Sequence, residues 1–217
     1  LNLCGTFGPW EFKTGLHEEK FLPSAAFHVW YRTASGETGT KTLATEDVLS
    51  SWSRLQPGDG AYFALVPRAW FVYHGFPFGL AMEQFSPVIP HNYRESSFPV
   101  GLFEFAVHNT TSDWLEVALA FTFPNEDYGD LHRAGKHAFV VKQGDVVGVV
   151  LDAEGPGNSL TTQGTEWCLA TRGMTSNDSI TWLPGWDADG DGSDFYADFS
   201  DGGLLSNRSL EADGLSL

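Results

Sequence analysis

The chain has 217 residues, of which 42% are hydrophobic and 14% aromatic, enough to bury the core of one large β domain or two small ones. Its 28 acidic and 12 basic residues leave a formal charge of −16, which disfavours nucleic acid and anionic membrane surfaces as partners. No stretch approaches the ~18 uninterrupted apolar residues of a membrane span, so we predict no transmembrane segment.

Short runs of aromatic and β-branched residues recur along the chain, separated by turns rich in Gly and Pro, as is typical of β-strands. The predicted strands are 27–33, 61–66, 69–74, 78–85, 165–172 and 178–183, with two hairpins over 101–123 and 137–152. Strands of this number and spacing predict an all-β fold, an antiparallel β-sandwich with a few short helices, over a single domain at 1–217.

The hairpin over 101–123 shows the clearest alternation of apolar and polar residues. One face is apolar in both of its strands: Phe103, Phe105 and Val107, then Leu115, Val117, Leu119, Phe121 and Phe123. The polar stretch 109–113 is the predicted turn. A period of two indicates strands with one buried face. The second hairpin is predicted to turn at 143–145.

Two segments have the spacing of short helices. In 45–55, Val48, Trp52 and Leu55 recur at helical intervals, and Thr45 is a suitable N-cap. In 194–205, Phe195 and Phe199 would share one face.

The second helix follows an acidic stretch, DADGDGSDFYAD, that has the spacing of a calcium loop. Asp187, Asp189, Asp191 and Asp198 fall at positions 1, 3, 5 and 12, and Gly192 falls at position 6, where such loops turn sharply. Position 12 is normally Glu, and no helix is predicted before the stretch. A structural Ca²⁺ site is therefore one interpretation, and a solvated acidic turn that caps the helix is the other.

The stretch SPVIPHNYRESSFPVG, residues 86–101, places five polar or aromatic side chains in succession: His91, Asn92, Tyr93, Arg94 and Glu95. They could line a substrate pocket or a domain interface. Alternatively, the stretch is a proline-rich crossover between sheets, in which His91 and Asn92 bond to backbone groups. The prolines favour a stiff loop in either case.

Glycoside hydrolysis usually needs two carboxylates, and no acidic pair here forms a recognisable catalytic motif. Glu83, Glu95 and Glu104 lie on or beside predicted strands, where we expect them to face solvent. An independent hydrolase that uses Glu95 or Glu104 is a weaker alternative. Trp182 and Trp186 flank a Pro-Gly turn and could expose rings on which sugars stack. The alternative is that each is a buried or interface tryptophan, as tryptophans more often are.

The cysteines, Cys4 and Cys168, form no metal motif and are too few for a disulfide framework. We expect two buried thiols, and the alternative is a single disulfide between them.

Three motifs in the middle of the chain resemble the N-terminal domain of the bile-acid β-glucosidase, or non-lysosomal glucosylceramidase, family, which is glycoside hydrolase family 116. They are Pro-Arg-Ala-Trp at 67–70, SPVIPHNY at 86–93 and SSFPVG at 96–101. The later DGDGSDFYADFSDGGLLS is similar to a short aromatic helix of that family. The resemblance covers about residues 60–205, and the long central motif is its most specific part.

The resemblance implies an N-terminal β-sandwich that accompanies a C-terminal (α/α)6 barrel. It also implies a retaining mechanism whose Glu nucleophile and Asp acid/base both belong to the barrel, so no catalytic residue is expected in this chain. The implied partners are the barrel segment, from the same gene product or a second chain, and a carbohydrate substrate. No cofactor is expected for the chemistry. The alternative is a stand-alone carbohydrate-binding or assembly module.

Overall fold

The computed structural model describes residues 11–14, 18–21, 25–45, 52–123, 136–153, 166–172, 179–183, 185–186 and 192–206. The chain divides into two compact units, residues 1–122 and 123–217. Twelve strands and two helices are described, and the strands pair antiparallel in every sheet. The predicted all-β class is thus confirmed.

The first unit contains a small sheet and two larger ones. β1 (Glu11–Thr14) pairs with β2 (Glu18–Phe21). A three-stranded sheet has the order β4-β3-β9, with β3 at Ala26–Thr33, β4 at Thr38–Thr42 and β9 at Leu115–Thr122. A four-stranded sheet runs in chain order through β5 (Gly60–Leu65), β6 (Arg68–Tyr73), β7 (Gly79–Phe85) and β8 (Leu102–His108), and helix α1 spans Tyr93–Ser96.

The two larger sheets of this unit pack face to face through aromatic rings. Phe27 of β3 meets Phe103 and Phe105 of β8, with ring centroids 5.1 and 4.9 Å apart, and stacks on Phe121 of β9 at 4.4 Å. Edge-to-face contacts of this kind stabilise beyond the apolar area that they bury. The predicted apolar face of 101–123 is therefore the inner face of a sandwich.

The predicted hairpin over 101–123 is wrong in its pairing. β8 pairs with β7, whereas β9 pairs with β3, so the segment 109–114 carries the chain from one sheet to the other. Asn109 orders this link, because its amide donates to the carbonyl oxygen of Asp113 at 2.7 Å and its side-chain oxygen accepts from the backbone N–H of Thr111 at 3.0 Å. The alternation predicted two strands correctly but could not specify their neighbours.

The outer face of the three-stranded sheet is covered by residues 52–55, which are not helical. Arg54 instead forms a parallel bridge with Thr42, and Trp52 and Leu55 are buried. The helix predicted over 45–55 is therefore wrong across these residues, and 46–51 lie outside the described residues. The strand predicted at 178–183 is also wrong, because 179–183 are irregular.

His28 lies fully buried beneath this cover. Its Nδ1 is 3.0 Å from the hydroxyl of Thr42, its Nε2 is 2.9 Å from the hydroxyl of Thr122, and Trp52 packs edge-on at 4.5 Å. Because burial disfavours the charged form, the pKa of His28 falls from 6.5 to about 3. The neutral imidazole thus links β4 and β9, the two outer strands of this sheet, through the hydroxyls of Thr42 and Thr122.

The second unit contains a meander of three strands and one helix. Its strands are β10 (Lys136–Gln143), β11 (Val146–Ala153) and β12 (Glu166–Arg172), in the order β10-β11-β12. The predicted turn is confirmed, with Gly144 at φ 62°. Helix α2 spans Ser193–Gly202 and ends at the left-handed Gly203. It buries Phe195 and Phe199, the two residues predicted to share one face.

The buried imidazole predicts how stability depends on pH. The unfolded chain takes up a proton near the ordinary pKa of His, ~6.5, whereas the folded chain does so only near 3. The stabilisation is therefore complete above the unfolded pKa and is lost as pH falls from there toward 3. When the free energy of unfolding is measured with denaturant from pH 7.5 to 4, its decrease with falling pH should be smaller in His28→Gln than in the wild type. The exposed His74 supplies the control, and an unaltered slope in His28→Gln would contradict the assignment.

Candidate functional site

The loop of residues 86–101 joins two strands that are already neighbours. β7 ends at Phe85 and β8 begins at Leu102, and these two residues face each other in the register. A turn of two residues is enough to join such strands, as Val66–Pro67 does between β5 and β6. The loop is thus a long hairpin connection, and its interpretation as a crossover between sheets is wrong.

The loop is held by its own hydrogen bonds. Ser96 bridges its two arms, because its hydroxyl accepts from the backbone N–H of Ile89 at 2.8 Å and donates to the carbonyl oxygen of Ile89 at 3.2 Å. Asn92 caps α1 by accepting from the N–H of Glu95 at 3.2 Å, and its amide donates to the Glu95 carboxylate at 2.9 Å. The loop is therefore preorganised, as the sequence predicts.

The same geometry turns apolar and aromatic side chains outward. Tyr93 is 84% exposed, and Val88, Ile89, Phe98 and Val100 are exposed as well. His91 has a left-handed backbone with φ 63°, which is uncommon for residues other than glycine. Ordered loops that hold such a residue and expose a tyrosine are typical of binding surfaces.

The five candidate residues lie in succession in the loop and its short helix α1. Glu95 bonds to Asn92, and Arg94 makes no ion pair with it or with any other described residue. His91, Tyr93, Arg94 and Glu95 are all exposed. The loop presents them as a surface, so their part in substrate or domain contact stays a prediction.

Two acidic residues of the four-stranded sheet are register partners. Glu83 of β7 faces Glu104 of β8, and both side chains point to the outer face of the sheet. Glu83 pairs with Arg68 of β6. The two carboxylates therefore stand side by side on an open sheet, whereas a glycosidase needs them on either side of a bound sugar.

Two expectations outside this sheet concern tryptophans and a cysteine that the structure describes. Trp182 and Trp186 are half-buried: Lys142 stands 4.7 Å above the first ring, and Phe195 packs against the second at 6.1 Å. These contacts favour the alternative that the two tryptophans are core or interface residues. The expectation of a buried thiol is wrong for Cys168, which is free and exposed. Cys4 lies outside the described residues.

The acidic calcium loop is described only at its end. Asp187, Asp189 and Asp191 lie outside the described residues, and Asp198 lies within α2. Gly192 has the left-handed conformation, with φ 61°, that position 6 of such a loop requires. No cluster of three or more potential metal ligands occurs among the described residues. The Ca²⁺ site stays a prediction.

A family model described as "beta-glucosidase 2, glycosyl-hydrolase family 116 N-term" matches residues 1–214. The chain belongs to this family of N-terminal domains, and the resemblance of its central motifs is confirmed. Among the described residues, no helix is long and apolar enough to span a membrane.

The bridge made by Ser96 can be tested by removing it. Ser96→Ala deletes both bonds to Ile89, so the amides of 88–98 should exchange with solvent roughly fivefold faster, which is the effect of about 1 kcal/mol. Global stability should change little, since the loop is exposed. Ser112→Ala, in the exposed turn before β9, is the control. Unaltered exchange in Ser96→Ala would show that the loop is ordered by other contacts.

Calcium binding can be measured through stability. If the acidic loop binds Ca²⁺, a free concentration about 100 times Kd should stabilise the protein by about 2.7 kcal/mol. Asp187→Asn should abolish the rise in Tm, and Asp201→Asn, at the exposed end of α2, should not. If the Tm were the same with calcium and with a chelator, the predicted Ca²⁺ site would be contradicted.

Proposed function

We propose that this chain is the non-catalytic β-sandwich portion of a retaining exo-β-glycosidase that hydrolyses β-linked glycosides such as β-glucosides. Membership of the family 116 N-terminal domains supports a glycoside hydrolase context. In this proposal the chain supports an (α/α)6 barrel that carries the catalytic Glu and Asp. The loop 86–101 contacts the barrel and borders its active site.

The observation that carries the proposal is the loop itself. Sixteen residues connect two strands that a tight turn would join, and the family motif lies within them. Long ordered loops of this kind usually have a function, because a shorter connection would fold at a lower cost in entropy. Preorganisation of Tyr93 and its neighbours reduces the entropy that is lost when a partner binds.

The arrangement of acidic residues supports a catalytic centre elsewhere. Glu83 and Glu104 lie on one face of a sheet, and Glu83 is engaged by Arg68. Glu95 lies in an exposed loop and accepts a hydrogen bond from Asn92. Neither set flanks a space for a sugar ring, which is what both retaining and inverting mechanisms require.

The dependence on a catalytic segment can be tested directly. The chain alone should not hydrolyse aryl β-glycosides, and the full enzyme that contains it should. Glu83→Gln, Glu95→Gln and Glu104→Gln should each leave a measurable kcat in the full enzyme, because none supplies the acid or the nucleophile. A loss of the order of 10⁴-fold or more in any of them would contradict the proposal.

Tyr93 tests the role of the loop. In the full enzyme, Tyr93→Ala should raise KM if the side chain borders the substrate, or lower Tm by roughly 4 °C if it packs against the barrel. Trp114→Ala is the matched control, because Trp114 is also an exposed aromatic but lies in the link between β8 and β9. If Tyr93→Ala matched the wild type in KM, kcat and Tm, the loop would have neither role.

A further inference from the structure

We draw no further inference here: the strongest candidate, the apolar outer face of the four-stranded sheet with its exposed Phe63, Leu65 and Val72, carries none because nothing among the residues that the structure describes shows what covers it.

Discussion

The packing of Phe27 against the rings of β8 and β9 is the interaction on which the first unit depends. This side chain belongs to one sheet and touches Phe103 and Phe105 of the other, so it sets which faces turn inward. Because successive residues of a strand point to opposite sides, the neighbour of Phe27 in β3, His28, must point outward. The outward direction of the imidazole and the set of side chains on the outer face of the four-stranded sheet both follow from this one choice of inner faces.

The outer faces of the two larger sheets differ in how they are covered. Trp52 and Leu55 cover the three-stranded sheet, and beneath them His28 bonds to two hydroxyls, so its polar atoms are satisfied without water. The four-stranded sheet has no equivalent cover among the described residues. The loop 86–101 leaves this sheet between Phe85 and Leu102, which are register partners.

The sequence predicts the strands well because alternation is a local property. The alternation places Phe103 and Leu119 on an apolar face without reference to their partners, and that face is the inner one. Pairing is not local. Nothing in 109–114 distinguishes a hairpin turn from a link between sheets, so the sequence does not predict that β8 pairs with β7 and β9 with β3. Trp52 had helical spacing, but its burial over His28 prevailed over propensity. The loop 86–101 is recognisable from its motif, whereas the apolar outer face of the four-stranded sheet is indicated only by continuous apolar runs such as AYFALV.

The link between β8 and β9 also determines when the first unit can be completed. Thr122 bonds to the carbonyl oxygen of Ala26, a partner 96 positions earlier. Each strand of the meander from β5 to β8 pairs with a strand that is close in the sequence. In the other sheet, the central strand β3 pairs with β9, which ends at the last residue of the unit. High contact order of this kind slows folding, and during synthesis on the ribosome it leaves the edge of β3 unpaired until β9 emerges.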